Sequence, residues 1–442
     1  MPGPSRIQPG AVPQAYVPGQ AVAYVSPGGP DEFGNFGAKT SVSGVNGATG
    51  GIQEAMNAVS AAGGGTVWLR ADVGPILPAN GMYLLPNVKL GSIIETPRKA
   101  TPGTGFTYKP DIVLPSTFVG IAPFSSYSPP SGGGASTTVF GTNPTLNVYA
   151  TGYGIGYLSV DCRSPGTSPD LIHLTNIARA KIDYLTGVGC ASGLVSDTYP
   201  VSSPTPGESG QIGVTEGIEI SGHSGVGIDL QYSTQFGGVG LIQSVNGGTI
   251  GLRIQSSSKC FIGQLQCSGY SVDGIVLDDA NNTCANNIVD DFFLGGGATL
   301  DINALFSGAK SGSVGNILSN GITGGGATAF GGYPAGSPTS VQTRYLTMRN
   351  VVGVTDQSFS LPFSQPSVPS STTRQYNHYP FPVKVYVQDS TASVTALAVD
   401  GATLFTQSAA VVHWGAVTLQ PESYIVLTYS STAPTWNWQA EL

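Results

Sequence analysis

A four-residue pattern recurs along this chain at almost constant spacing. Gly227-Ile228-Asp229-Leu230, Gly251-Leu252-Arg253-Ile254, Gly274-Ile275-Val276-Leu277 and Gly297-Ala298-Thr299-Leu300 begin 24, 23 and 23 residues apart, and Gly321-Ile322-Thr323 follows after 24 more. A period of this length predicts a solenoid, because one repeat cannot bury its own apolar face and must stack on its neighbours. Upstream, Ile172, Val195 and Ile218 keep a step of 23. The two columns do not align, so an inserted loop or a change of strand is expected between 200 and 250.

Composition agrees with a strand-built array. Charged residues are only 10% and hydrophobic residues 40% of the 442, so the chain can build a large core rather than stay disordered. Strand- and turn-favouring Val, Thr, Ser, Gly and Tyr outweigh Glu, Lys and Arg. The net charge of -8 argues against nucleic acid as a partner. No run of 18 apolar residues occurs, so no membrane insertion is expected. The first residues lack a charged segment followed by an apolar one, so a secretory leader is not expected. The five cysteines show no C-x-x-C spacing and read as small buried apolar side chains.

Residues 1–33 carry seven prolines. They are expected as an extended arm, without a helix or a central strand. Residues 50–62 have helical periodicity in Ile52, Ala55, Met56, Val59 and Ala62, and Gly63-Gly64-Gly65 ends the helix. Strands are predicted at Thr66–Leu69 and on either side of Pro86. Residues 95–145 read as an excursion. Successive strands follow at Tyr157–Asp161 and Ala180–Tyr184. The array is expected to fill 34–341, with a polar link over 342–377. Residues 378–442 alternate as antiparallel strands, with Asp400-Gly401 as a turn.

Two resemblances add to this. Phe36-Gly37-Ala38-Lys39, Ile52-Gln53-Glu54-Ala55, Ala62 through Leu69 and Gly81-Met82-Tyr83-Leu84-Leu85 resemble the opening segment of pectate-lyase-like right-handed parallel β-helices. There a helix caps the open end of the solenoid. The chain departs from that pattern between Lys39 and Ile52, where such proteins often carry a run of acids. Pro380 through Val387, Val399-Asp400-Gly401 and Tyr424-Ile425-Val426-Leu427-Thr428-Tyr429 through Trp438 resemble a C-terminal β-module of phage tail fibres, tailspikes and phage-like actinobacterial proteins. The resemblance implies an all-β protein: a right-handed parallel β-helix with an N-terminal capping helix and a C-terminal antiparallel β-sandwich. It further implies a homotrimeric phage tail spike or fibre in the virion. The arm would dock to tail or baseplate proteins, and the rod or tip would meet a host surface polysaccharide. A polysaccharide depolymerase on the same scaffold and a purely structural virion component are the alternatives.

Chemistry is weakly marked. Asp278, Asp279, Asp290 and Asp291 are the candidate catalytic acids, with Glu219, Asp229 and Asp273 nearby in sequence. Adjacent acids on a strand point to opposite faces, and Asp also serves turns. The polygalacturonase-type order is absent, because Gly222-His223-Ser224 and Arg179-Ala180-Lys181 precede the Asp pairs instead of following them. His173, His223, His378 and His413 show no zinc spacing, no phosphate loop occurs, and no cofactor is expected. Asp229 and Arg253, one repeat apart, are expected as a surface ion pair worth ~0–1 kcal/mol. Trp414, Trp436 and Trp438 are expected in core or trimer packing.

Overall fold

The computed structural model describes residues 21–29, 35–37, 48–94, 100–101, 105–106, 109–121, 138–142, 152–175, 177, 179–197, 210–232, 235–280, 283–295, 300–306, 313–324, 328–331, 346–355, 358–359, 365–379, 381–389, 394–406, 414–430 and 432–441. Strand dominates them, and among the described residues Ile52–Ala61 is the one helix.

Two large sheets, of fifteen and nine strands, carry the repeats. From residue 153 to 331 the chain alternates between them. It runs through Tyr153–Asp161, crosses to Asp170–Thr175, returns as Arg179–Val188, crosses to Leu194–Asp197, and continues in this way to Thr328–Gly331. Within each sheet successive strands pair in parallel. Each crossing and return therefore adds one strand to each sheet, one level of the array, which is compatible with the stacking that the repeat predicts.

The core lies between the sheets. Leu158, Leu185, Ile218, Ile242 and Leu265 occupy one register row of the larger sheet. Leu194, Ile228, Leu252, Ile275 and Ile302 occupy one row of the smaller. All are at most 2% exposed, and each contributes about 1.5–3 kcal/mol of apolar burial. The repeat glycines follow from the tightness of this core. A Cβ at Gly251 would stand 2.5 Å from Cys267 Sγ, and one at Gly227 would collide with Ser244 Oγ. The turn after the long strands is reset by a left-handed residue, Gly222 at φ 65° and Gly269 at φ 73°, with Asn246 in the same role at φ 58°.

The period itself is looser than the sequence suggests. Ile228, Leu252 and Ile275 are in register, but the next partner is Ile302 and then Phe330. Gly297 lies outside the described residues. Gly321 belongs to Asn316–Gly324 in the other sheet. Ile172 pairs with Leu194 rather than Val195, and Ile218 again lies in the other sheet. Connections of unequal length shift the spacing while register preserves the core. For the insertion expected between 200 and 250, the connection from Leu194–Asp197 to Gln211–Ser221 runs through residues 198–209, which lie outside the described residues.

Two expectations need correction. Ala21–Ser26, expected within an arm, is a strand paired on both sides, with Phe36–Gly37 and with Gly65–Leu69. The window between Pro18 and Pro27 is free of proline and buries Ala21, Ala23 and Val25. Residues 1–20 lie outside the described residues. Leu346–Thr355, expected in the link, extends the larger sheet by pairing with Asn316–Gly324, because Leu346, Met348 and Val351 give it a buried face. Arg374–Tyr376, also expected in the link, joins a sheet of the C-terminal part.

The helix lies where it is expected. It buries Ile52, Ala55, Met56 and Val59 against Ala21–Ser26, Gly65–Leu69 and Val88–Ser92. Gln53 ties it down: its Oε1 accepts the Tyr83 N–H at 2.7 Å and its Nε2 donates to the Tyr83 carbonyl at 3.2 Å.

The C-terminal part forms a four-stranded sheet (Arg374–Tyr376, Tyr424–Tyr429, Val394–Val399, Ala402–Thr406) and a three-stranded one (Trp414–Leu419, Val383–Gln388, Thr435–Ala440), all antiparallel. Asp400-Gly401 is left-handed at both residues, φ 49° and 83°, as a tight hairpin turn requires. The Trp-Asn-Trp ending is itself a strand. Trp438 is 2% exposed and meets Trp436 edge-on at 5.4 Å, which bears out core packing for Trp438. The side chain of Trp414 lies outside the described residues.

Candidate functional site

The four candidate acids sit on different sheets. Asp278 ends Asp273–Asp278 of the nine-stranded sheet, where it accepts hydrogen bonds from Gln255 Nε2 at 2.6 Å and from the Ala280 N–H at 2.7 Å. Asp279 is fully buried, and its N–H donates to the Leu305 carbonyl at 3.2 Å. Asp290 and Asp291 lie in the larger sheet, in the break between Ile288–Val289 and Phe292–Gly295. Asp291 is left-handed at φ 42° and accepts from Gln264 Nε2 at 3.1 Å. Asp290 accepts from Ser319 Oγ at 2.7 Å and Asn320 Nδ2 at 2.8 Å. The Ser319 bond first, then Asn320, holds its carboxyl below the usual range. The side-chain bonds of Asp278, Asp290 and Asp291 join one level to the next, apart from the turn bond at Ala280. The acids nearby in sequence are similarly engaged. Glu219 accepts the Tyr184 hydroxyl at 3.0 Å, and Asp273 accepts Asn303 Nδ2 at 3.0 Å.

A row of charged side chains lies on the smaller sheet. His173 Nε2 meets Asp197 Oδ2 at 2.8 Å, both side chains at most 3% exposed. Burial opposes charging of the ring, but the Asp197 charge and hydrogen bond outweigh it, and its pKa stands above the ordinary histidine value. Asp229 pairs with Arg253 and accepts Gln231 Nε2. This pair is largely buried, at 5% and 17% side-chain exposure, and so is not the surface pair expected. Ser244 Oγ lies 3.2 Å from His223 Nε2, a nucleophile–base spacing. Both are at most 3% exposed, so substrate has no access to them. Among the described residues no cluster of three His, Cys, Asp or Glu is arranged to hold a metal.

The accessible feature is a groove of about 940 Å³ on the outer face of the larger sheet. Lys89, Gly154, Lys181, Gly213, Gly237 and Phe261 follow one another in register along its floor. Arg179, Gln211 and Gln235 form the row beside them, and Lys259 stands at its end. The glycines remove side chains from the middle of the row, and a Cβ at Gly213 would meet nothing within 4 Å. Asp183 fixes two of the cations, with Lys89 Nζ at 2.7 Å and Lys181 Nζ at 3.0 Å. Burial raises its pKa, but the two lysines bring it below the usual range. Beside this groove Tyr157 stacks on Tyr184 at 6.4 Å. A smaller hollow of about 460 Å³, on the three-stranded sheet, is lined by Tyr386, Trp436, Asn437 and Gln439 among others.

Sequence reasoning missed the groove. The available signals were the outward pair in Arg179-Ala180-Lys181 and the 24-residue step from Gly213 to Gly237. Compared with known proteins, the chain matches no family model and no curated protein.

Proposed function

We propose that the two parallel sheets form a right-handed parallel β-helix, closed by the C-terminal sheets as a small β-sandwich, and that the protein is a phage tail spike or fibre that attaches the virion to a host surface glycan. The observation that carries this reading is the groove across the larger sheet. It is open, spans six register positions and has a glycine floor, which suits a chain-like ligand lying along the stack. Exposed Phe261 at one end offers a stacking face for a sugar ring. The described lining contains no Asp or Glu, whereas glycoside hydrolysis ordinarily uses two facing carboxylates. Attachment is therefore favoured over cleavage.

By the resemblance of its C-terminal residues to tail-fibre modules, the protein is a homotrimer, and its N-terminal residues dock to tail or baseplate proteins. The test is to incubate the purified protein with host capsular or cell-wall glycan. Retained binding without new reducing ends or unsaturated product is expected, and release of product would establish the depolymerase instead. Light scattering should return a trimer; a monomer would overturn that part of the reading.

A further inference from the structure

Resting on the glycan-attachment reading, we propose that the groove selects an anionic glycan, one bearing carboxylate or sulfate groups along its chain. The protein as a whole is acidic, with 25 Asp and Glu against 17 Lys and Arg. Yet Lys89, Arg179, Lys181 and Lys259 all line this one groove, and no acid does. The adjoining carboxylate Asp183 offsets one of the four cations and leaves an excess of three. It also holds Lys89 and Lys181 at fixed positions two register steps apart. Glu216, exposed nearby on Gln211–Ser221, accepts a hydrogen bond from the Tyr157 hydroxyl. Arg179 and Lys259 form no ion pair with any described residue, and both are exposed, so their donors are available to a ligand.

The placement also argues for a polymer over a small anion. Successive register positions are about 4.8 Å apart, so cations from the Lys89 position to the Lys259–Phe261 end span about 24 Å. A single phosphate or carboxylate would need convergent donors; these are spread along a line. The glycines between them let a chain approach the backbone, and Gln211 and Gln235 offer neutral donors and acceptors beside it. Nucleic acid is disfavoured because Phe261 is the one exposed aromatic ring among the described lining residues, Tyr153 and Phe236 being buried, so the groove offers no series of faces on which successive bases could stack.

The test uses the full-length protein on a glycan array carrying uronate-, sialate- and sulfate-bearing chains beside neutral ones, with single-stranded DNA as a further probe. Three proteins are compared: the natural chain, the double variant Arg179→Gln/Lys259→Gln, and Gly213→Trp. Binding should be confined to anionic glycans and weaken with salt. The double variant should lose about tenfold or more, as expected for two charge-assisted hydrogen bonds. Gly213→Trp, which fills the groove while keeping every charge, should abolish binding, with unchanged far-UV circular dichroism as the folding control. Binding to neutral glycans that ignores the double variant would overturn the anionic selection and leave glycan attachment standing. Binding to no glycan would overturn both. Equal binding to DNA, with the same dependence on Arg179 and Lys259, would show a general cation surface and overturn the selection.

Discussion

Arg253 lies directly beside Asp229 on the neighbouring strand and closes its guanidinium on the carboxylate, with Nε 2.8 Å from Oδ1. Because the pair is largely buried, its two members are not independent. Arg253→Met should leave a buried, poorly compensated carboxylate and cost about 3–5 kcal/mol, whereas Asp229→Leu/Arg253→Met should recover most of that loss. Urea unfolding of the two variants checks this. Equal stability of Arg253→Met and the natural protein would return the pair to the weak surface class.

Two buried histidines should give stability opposite pH dependences. His173 has a folded pKa above its ordinary value because of Asp197. Its contribution is complete below the unfolded value of about 6.5 and is lost as pH rises through the folded one. His223 is depressed by burial to about 4. Its contribution is complete above about 6.5 and fades as pH falls toward 4, by about 3 kcal/mol in all. Unfolding midpoints measured across this range should lose the acid-side slope in His223→Gln and the alkaline-side slope in His173→Gln. Unchanged slopes would mean that the rings titrate normally.

What could be read from sequence was what recurs. Ile228, Leu252 and Ile275 announce the core because stacking asks for the same apolar residue at each level, and Ile52, Met56 and Val59 announce the helix through their spacing. The spacing failed where connections grew, as between Ile275 and Ile302, since register constrains strands and leaves turns free. Ala21–Ser26 was hidden by flanking prolines whose effect stops at the strand ends. The groove was hidden for a deeper reason. Lys89, Lys181 and Lys259 share no local pattern and meet only because each occupies the same face at a different level, which depends on the true register. The Asp pairs stood out in sequence because adjacent acids are conspicuous, yet their hydrogen bonds chiefly hold turns and join levels.

The Asn287–Asn316 contact is one such staple. Asn287 Nδ2 donates to Asn316 Oδ1 at 2.9 Å and to the Ser257 carbonyl at 3.0 Å, and its Oδ1 accepts the Cys260 N–H at 3.0 Å. Both asparagines are at most 1% exposed. Asn287→Ala should leave several buried polar groups unmatched, at about 3 kcal/mol. Asn287→Asp should cost more, because a carboxylate would face two acceptors. Hydrogen exchange should show the loss as faster opening around 257–260 and 284–316. A uniform change across the protein would mean that the array unfolds only as a whole.

The five cysteines supply a probe of that same question. All are free and at most 1% exposed. Burial raises every thiol pKa, to about 12 for Cys190 and Cys260, and so suppresses the reactive thiolate. In the native protein, thiol reagents should label none of them at the rate of a free peptide cysteine, and reducing agents should leave the melting temperature unchanged. Labelling should follow opening of the levels. Cys162 and Cys190 lie toward the helix end of the array, and Cys260, Cys267 and Cys284 lie further along it, so mass spectrometry of partly labelled protein reads which levels open first. Rapid labelling of any one of them without denaturant would show that its side chain is not enclosed between the two sheets.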